Sequence, residues 1–222
     1  MQIVTDSGVD IVPEQLDGFE IHQVPLKILL GGKTYLSGVD IQPDEFYELL
    51  TTTDELPVTS LPSPGDFVEL YRRLASKGPI LSIHISSGLS NTIQSARTAA
   101  QMVPEAVITF IDTLTLSGAQ GWQVEAAIKA VKAGWPKEKI VELVEKVRDA
   151  TETIYTLPDL KYLIHGGRIS HLKGLLANLL QLKPLIGVSK TDGKYIERGK
   201  SPTFKRALEG IVKAILKEIP EG

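Results

Sequence analysis

The stretch PILSIHISSGLSNTIQSA, residues 79–96, joins an apolar strand to a helix through a turn rich in hydroxyl groups. Residues 79–85 are almost continuously apolar, which is typical of a parallel strand covered on both faces. Ligands of open α/β sheets bind outside the carboxyl ends of the strands, and the helix that follows favours an anion there. Ser87, Ser90 and Asn91 can supply donors, so the stretch predicts an anion site at the start of this helix.

The same hydroxyl groups have a second interpretation, in which they only cap the helix. Ser90 or Asn91 can serve as the N-cap, and Asn91 and Gln94 have the spacing of a capping box. Capping needs no ligand, and because serine is a common N-cap residue, the stretch taken alone favours capping. Both interpretations stay open at this point.

The chain around this stretch alternates short apolar runs with amphipathic helical patterns. Alternation of strand and helix predicts a layered α/β domain built on a parallel sheet, with helices on both faces. The sequence predicts further strands over 2–6, 21–30 and 106–112, and helices over 43–51, 65–77, 91–102, 117–133 and 137–149.

The pattern changes from about residue 152, where a smaller unit begins. Asp192-Gly193 is a strong two-residue turn signal and indicates an antiparallel hairpin. We therefore expect a second α/β domain with a partly antiparallel sheet, which divides the chain into residues 1–155 and 156–222. The predicted elements are a strand over 152–157, a short helix over 160–165, a break at Gly166-Gly167, a leucine-rich helix over 171–182 and the hairpin over 184–200.

Composition and charge exclude several classes of protein. The chain has 222 residues, 42% hydrophobic and 23% charged, which is the composition of a folded protein that encloses a core. The net charge of −3 and the scattered Lys and Arg residues argue against a nucleic acid partner. Because there is no cysteine, disulfides and thiolate chemistry are excluded, and a cytoplasmic location is expected.

Targeting and membrane-spanning segments are not expected. The residues MQIVTDSG at the start lack the basic and apolar regions of a signal peptide. The most apolar segment, residues 175–188, is interrupted by Lys183 and Pro184, well short of the ~20 apolar residues of a membrane-spanning helix.

The predicted anion is a single carboxylate. Neither GxGxxG nor GxxxxGK[ST] occurs, which disfavours a nucleotide phosphate. The alternative hypothesis is a serine hydrolase of small acyl esters that uses Ser90, because residues 88–92 begin like the GxSxG turn, although its closing glycine is absent. Neighbouring residues mark no base for such an enzyme among the four histidines, His22, His84, His165 and His171.

Asp6 also invites a phosphotransfer interpretation, as an aspartyl nucleophile. Such sites usually carry a second carboxylate two residues later, and that position is Gly8. Asp6 is therefore expected to order its own turn. No pair of histidine or acidic residues has the spacing of metal ligands, so no metal site is expected.

Two further segments carry residues suited to a carboxylate. Residues 51–67 contain three prolines, which predict a stiff, extended loop that can hold Thr59 and Ser60 in place. Gly166-Gly167 permits a sharp turn, and Arg168 offers a planar fork for a carboxylate or phosphate. The alternative interpretation of Gly166-Gly167-Arg168 is a helix C-cap followed by a surface ion pair.

Several of these stretches together resemble the signature blocks of the DegV family of fatty-acid-binding proteins. Their order and spacing extend over essentially the whole chain, which makes the match more specific than any single motif. The blocks are VTDSGVD (4–10), VTSLPSPGDF (58–67), ILSIHISSGLSNTIQSA (80–96), LKYLIHGGRIS (160–170) and LKPLIGVSKTDGK (182–194).

The resemblance implies a two-domain α/β protein that encloses one long-chain fatty acid, such as palmitate, stearate or oleate, in a tunnel between the domains. The leucine-rich helix over 171–182 is a candidate wall of the tunnel, although such a stripe more often belongs to an ordinary core. Asn91 replaces a glycine of the family, and Ile93 replaces a tyrosine. The residues implied for carboxylate binding are Thr59, Ser60, Ser87, Ser90, Asn91 and Arg168.

The resemblance also implies a carrier rather than an enzyme, with no cofactor. Family members present the bound acid to a separate fatty-acid kinase, which forms acyl phosphate with ATP. We expect the same kinase partner here, together with transient contact with a membrane surface. Members usually continue for several dozen residues beyond residue 222, which leaves a protein-interaction domain with a vestigial tunnel as a further hypothesis.

Overall fold

The computed structural model describes residues 1–175 and 182–218. A 3₁₀ segment, Arg168–Leu175, follows the seventh helix. The strands are β1 (Gln2–Asp6), β2 (Ile21–Val24), β3 (Lys27–Leu30), β4 (Lys33–Leu36), β5 (Val58–Ser60), β6 (Ile80–His84), β7 (Ile108–Asp112), β8 (Ile154–Tyr155), β9 (Lys183–Val188) and β10 (Tyr195–Ser201). The α-helices are α1 (Pro13–Leu16), α2 (Pro43–Thr52), α3 (Pro64–Ala75), α4 (Thr92–Gln101), α5 (Ser117–Lys132), α6 (Lys137–Ala150), α7 (Lys161–His165) and α8 (Phe204–Glu218).

Four parallel strands form the central sheet, in the order β2-β1-β6-β7. Ile3 of β1 pairs with Ile21 of β2 on one side and with Leu81 of β6 on the other. The carboxyl ends of β1, β6 and β7 therefore meet at one edge. All three strands were predicted from the sequence, and the mixed α/β fold class is confirmed.

Helices cover both faces of this sheet, since successive side chains of a strand point to opposite sides. On one face Ile3 belongs to a buried cluster with Ile128 of α5 and residues of α6. On the other face Val4 belongs to a cluster with Phe67 of α3 and Ala96 of α4. The five helices predicted for this part of the chain, α2 to α6, are all present.

A second, antiparallel sheet has the order β4-β3-β5. The prediction of one strand over 21–30 is wrong, because this segment forms β2 and β3 in two different sheets. Pro25 has no N–H with which to continue the ladder of β2. The next N–H, that of Leu26, donates to Ser7 Oγ at 2.9 Å, so the chain leaves the parallel sheet at this point.

Strand β5 lies within the segment 51–67, which was predicted to be a stiff, extended loop. It pairs antiparallel with β3 and sets Thr59 opposite Ile28. The segment is extended here as predicted, and sheet pairing, in addition to the prolines, holds Thr59 and Ser60 in place.

A third sheet, of the order β10-β9-β8, is antiparallel throughout. The predicted β9–β10 hairpin is present, but its connection is longer than the predicted two-residue turn and runs over residues 189–194. Gly193 lies in this connection with a φ of +65°. The strand predicted over 152–157 is shorter, because only Ile154–Tyr155 pairs with β9. The strands of this sheet come from residues 154–201, and the division of the chain into residues 1–155 and 156–222 stays a prediction.

The segment after α7 differs from the predicted leucine-rich helix over 171–182. Its first part belongs to the 3₁₀ segment Arg168–Leu175, which is kinked at Leu172 (φ −101°, ψ 40°). Residues 176–181 lie outside the described residues. Leu172 is buried in a cluster with Ile186 and other residues of the third sheet, which is the ordinary core packing that the sequence left open.

Helices α1 and α8 and strand β4 were not predicted, and β5 was predicted only as part of an extended loop. Helix α8 buries Ala207 and exposes apolar side chains such as Leu208, Val212 and Leu216. In the two ranges that the structure describes, no helix is both long and apolar enough to cross a membrane.

Candidate functional site

The carboxyl ends of β1 and β6 are joined through the buried carboxylate of Asp6. Its Oδ1 accepts a hydrogen bond from Gly8 N at 2.9 Å, which confirms that Asp6 orders its own turn. Its Oδ2 accepts from Ile85 N and from His84 Nδ1, both at 2.9 Å. Asp6 thus fixes the first residues of the loop that carries the predicted anion site.

A chain of buried hydrogen bonds continues from His84 into the core. Ser82 Oγ lies 2.7 Å from His84 Nε2 and 2.8 Å from Tyr71 Oη. Burial raises the pKa of Tyr71, so the phenol stays protonated and can donate. With Tyr71 donating to Ser82, Ser82 to His84 and His84 to Asp6, every hydrogen bond in the chain has one donor and one acceptor.

The connectivity of Asp6, His84 and Ser82 is that of a serine hydrolase triad, but its surroundings are not. None of the three residues has exposed surface, and Ser82 Oγ is also hydrogen-bonded to Tyr71 Oη. A nucleophile must be reached by its substrate. These buried hydrogen bonds therefore connect two strands of the core, and an ester substrate cannot reach Ser82.

The loop after β6 uses its own backbone to form a tight turn. Ser86 N donates to Thr115 O at 2.8 Å, and Ser86 O accepts from both Leu89 N and Ser90 N at 3.0 Å. Ser87 N donates to Asp112 Oδ1 at 3.1 Å, and Asp112 is the last residue of β7. The last residue of β7 and Thr115, three residues after it, thus position this loop.

Ser90 and Asn91 lie at the N-terminus of α4, but the predicted capping box is not formed. Asn91 is the N-cap residue, and its side chain makes no capping hydrogen bond. Ser90 Oγ lies 2.8 Å from Thr92 Oγ1 and accepts a long hydrogen bond from Thr92 N at 3.3 Å. In the part of the chain that the structure describes, Ser90 has no hydrogen bond to a histidine, so a serine hydrolase based on Ser90 gains no support.

The residues predicted for carboxylate binding surround one cavity of about 530 Å³. They reach it from three separate segments: the β5 strand, the loop between β6 and α4, and the Gly166-Gly167-Arg168 turn. The lining consists of Leu26, Thr59, Ser60, Leu61, Ser87, Gly88, Leu89, Ser90, Asn91, Gly166, Gly167 and Arg168. Thr59, Ser60, Ser87, Ser90, Asn91 and Arg168 are thus all brought together.

Arg168 brings the positive charge to this cavity. It is partly buried, and its Nη1 donates to the carbonyl oxygen of Gly166. Among the described residues it forms no ion pair with a carboxylate. Gly167, with a φ of +78°, turns the chain between α7 and Arg168. A partly desolvated guanidinium beside hydroxyl groups suits a carboxylate ligand.

The segment that carries Thr59 and Ser60 is fixed at its end by the start of α3. Ser63 N donates to Asp66 Oδ2 at 2.8 Å and Ser63 Oγ accepts from Asp66 N at 3.3 Å, which is a complete capping box. Partial burial opposes ionisation of Asp66, but hydrogen bonds from Ser63 and the nearby Lys27 ammonium hold the pKa of its carboxyl below the usual value.

Comparison with known proteins decides the family. A protein-family model described as "Uncharacterised protein, DegV family" matches residues 1–222. The chain belongs to the DegV family. The resemblance found in the signature blocks is therefore confirmed.

DegV proteins of known sequence and structure match over most of this chain. A DegV domain-containing protein of Staphylococcus aureus (strain N315) is 38% identical over 184 residues, which are 82% of this chain and 65% of that protein. This chain thus spans slightly less than two thirds of the length of that relative.

Two solved structures have the same fold as this chain. A DegV family protein from Thermus thermophilus, described by its fatty acid binding, has a TM-score of 0.86 and 32% identity, covering 97% of this chain and 76% of that one. A stearic-acid-binding protein from Eubacterium ventriosum has a TM-score of 0.83 and 26% identity, covering 98% of this chain and 76% of that one.

The sequence did not predict several residues that position the loop after β6 or add apolar surface to the cavity. Ser86 and Asp112, which hold the loop after β6 through the hydrogen bonds Ser86 N to Thr115 O and Ser87 N to Asp112 Oδ1, were not predicted as site residues. Leu26 and Leu61, which add apolar surface to the cavity, carried no signal of their own. In the described ranges no group of histidine and acidic residues is arranged to hold a metal ion.

Proposed function

We propose that this chain binds a long-chain fatty acid, with the carboxylate in the cavity formed by Thr59, Ser60, Ser87, Ser90, Asn91 and Arg168. The observation that carries the proposal is the convergence of these hydroxyl, amide and guanidinium groups, from three distant segments, on one cavity. Membership of the DegV family and the fatty acid binding of the two structural neighbours support it.

The head group and the tail of a fatty acid contribute differently to its binding. Each buried methylene contributes about 0.8 kcal/mol, so a long alkyl chain gains on the order of 10 kcal/mol before ordering costs. A carboxylate loses its hydration on entering the protein and needs several donors to replace it. The tail therefore supplies affinity, and the hydroxyl groups with Arg168 select an acid over a plain hydrocarbon.

The tunnel between domains and the role of the chain as a carrier belong to the same proposal. We infer that the tail extends from the cavity towards the third sheet, where Leu89 packs on the buried cluster of Ile169, Ile186 and Val188. The absence of a base beside Ser90 in the described residues favours binding over catalysis. Presentation of the acid to a separate kinase, transient membrane contact and a cytoplasmic location rest on the resemblance and composition alone.

The decisive experiment identifies what the protein carries. Protein purified from a bacterial host should release a long-chain fatty acid into an organic extract, detected by mass spectrometry, and delipidated protein should take up added palmitate or oleate. An empty extract together with no uptake would overturn the proposal. The kinase role is tested by adding loaded protein to a fatty-acid kinase with ATP and assaying acyl phosphate.

A further inference from the structure

The turn between β9 and β10 lies directly behind the loop that carries Ser87 and Ser90. Ser86 Oγ donates a hydrogen bond of 2.8 Å to Gly193 O and accepts one of 3.1 Å from Gly88 N. Ser86 is fully buried. One hydroxyl group therefore bonds to the backbone of two segments that are about a hundred residues apart in the sequence.

The two backbones approach so closely that only glycine fits on either side. A Cβ atom added to Gly193 would lie 1.9 Å from Ser86 Oγ, and one added to Gly88 would lie 2.3 Å from Asp192 O. Gly193 also has a φ of +65°, which other residues adopt at a cost. Because the contacts are with backbone atoms or a short side chain, little can move aside to relieve them.

Ser86 is also the residue around which the site loop turns. Its carbonyl oxygen accepts hydrogen bonds from Leu89 N and Ser90 N, and its N–H donates to Thr115 O. A displacement of Ser86 would therefore displace the Ser90 hydroxyl group relative to the end of β7.

The segment that carries Arg168 packs against the same β9–β10 hairpin. Ile169, which follows Arg168, is buried in a cluster with Ile186 of β9 and Tyr195 of β10. The hairpin thus supports the arginine side of the cavity through its strands and contacts the hydroxyl side through its turn.

We propose that the Asp192-Gly193 turn, acting through Ser86, is a positioning element of the head-group site: it sets the distance between the Ser90 hydroxyl group and Arg168. This inference rests on the proposed function. It assigns to Ser86 and Gly193 a part in selecting the carboxylate without contact with the ligand.

Positioning can be separated from general structural support by comparing two ligands with the same tail. Palmitate needs both sides of the head-group site, whereas hexadecanol has no charge for Arg168 to bind. A variant that separates the two sides should weaken palmitate and spare hexadecanol. A variant that only loosens the fold or the tail site should weaken both.

The test uses equilibrium binding of radiolabelled palmitate and hexadecanol to the delipidated full chain. In the variants Ser86→Ala and Gly193→Ala we expect palmitate affinity to fall at least about ten-fold and hexadecanol affinity to stay within about two-fold. Gly18→Ala is the matched control, since Gly18 has a φ of +71° and open space where a Cβ would be placed. It should change neither affinity.

Three outcomes would overturn the inference. Unchanged palmitate affinity in folded variants would show that the turn does not position the site. An equal fall for both ligands would reduce its role to general support. Ser86→Ala removes a single oxygen, so it keeps the test decisive if Gly193→Ala does not fold. Failure of the unmodified chain to bind either ligand would instead overturn the proposed function, and this inference with it.

Discussion

The imidazole Nδ1 of His84 lies 2.9 Å from Oδ2 of Asp6, and neither side chain has any exposed surface. The same carboxylate oxygen accepts the N–H of Ile85, the first residue after β6. A buried carboxylate is stable only when donors replace its lost hydration, and Asp6 has donors on both oxygens. The edge of the sheet where the candidate site lies is therefore built around one enclosed polar group.

Replacement of Asp6 tests this relationship. In Asp6→Asn, one carboxylate oxygen becomes an NH₂ group that faces N–H donors, so at least one buried hydrogen bond is lost and a donor is left unsatisfied. We expect the free energy of unfolding, measured by urea denaturation, to fall by about 3 kcal/mol. The control Asp17→Asn removes an exposed carboxylate paired with Lys132 and should lower the free energy of unfolding much less, because water screens an exposed ion pair. Equal effects of the two variants would contradict the conclusion that the buried hydrogen bonds of Asp6 stabilise the fold.

The hydroxyl groups of Thr59 and Ser90 are expected to bind the carboxylate directly. Thr59→Val combined with Ser90→Ala removes one donor from β5 and one from the loop between β6 and α4. Each lost donor leaves a carboxylate oxygen poorly solvated. We expect palmitate binding to weaken by about 3 kcal/mol, or roughly a hundred-fold in Kd, with the fold intact.

Isothermal titration calorimetry with delipidated protein measures this change, and circular dichroism verifies the fold. Thr98→Val combined with Ser76→Ala is a matched control, because both residues are exposed and lie outside the cavity. Unchanged affinity in the Thr59 and Ser90 double variant would mean that the head group binds elsewhere, even if the chain carries a fatty acid.

Arg168 is expected to distinguish charged from neutral ligands. Arg168→Met keeps much of the apolar stem but removes the guanidinium, so palmitate affinity should fall about ten-fold to a hundred-fold while hexadecanol affinity changes little. Arg168→Lys restores the charge without the planar fork and should recover only part of the loss. Arg72→Met, on the exposed side of α3, is the control. A similar loss for both ligands in Arg168→Met would contradict a charge-specific role.

The parts of the site that the sequence predicted are those with a local signal. Ser90 follows a buried strand and precedes a helix, Thr59 lies between prolines, and Arg168 follows two glycines, so short-range patterns marked each of them. The convergence of these segments was implied by the resemblance to the DegV family rather than by the patterns. Periodicity identified β1, β6, β7 and helices α2 to α6 because each of them buries an apolar face.

Other features depend on contacts between distant segments and have no local signal. Gly193 was predicted to lie in the connection of a hairpin, which is correct, but nothing near it in the sequence shows that its carbonyl oxygen meets Ser86. The division of residues 21–30 between two sheets likewise depends on Leu26 finding Ser7 as a partner. Helix α8 was missed although its pattern is amphipathic, and much of its apolar face remains exposed in the described residues.

Acid should weaken the capping box of Ser63 and Asp66 at the start of α3, which follows the strand that carries Thr59 and Ser60. The pKa of Asp66 is held below its ordinary value of 3.8 in the folded protein, so its contribution to stability is present above that pH and is lost as the pH falls through the folded pKa. Capping interactions of this kind contribute about 1 kcal/mol. Asp66→Asn removes the titrating group, so the variant should be less stable than the unmodified protein at neutral pH, by about this amount.

Urea denaturation at a series of pH values measures the predicted difference. The stability curves of the unmodified protein and Asp66→Asn should converge as the pH falls below the carboxyl pKa, because protonated Asp66 no longer accepts well from Ser63 N or pairs with Lys27. Lys27→Met should narrow the gap at neutral pH, since it removes the ammonium that lies 3.1 Å from Asp66. Curves that stay parallel down to acid pH would show that ionised Asp66 does not stabilise the start of α3, and that the prolines and β5 pairing alone hold Thr59 and Ser60.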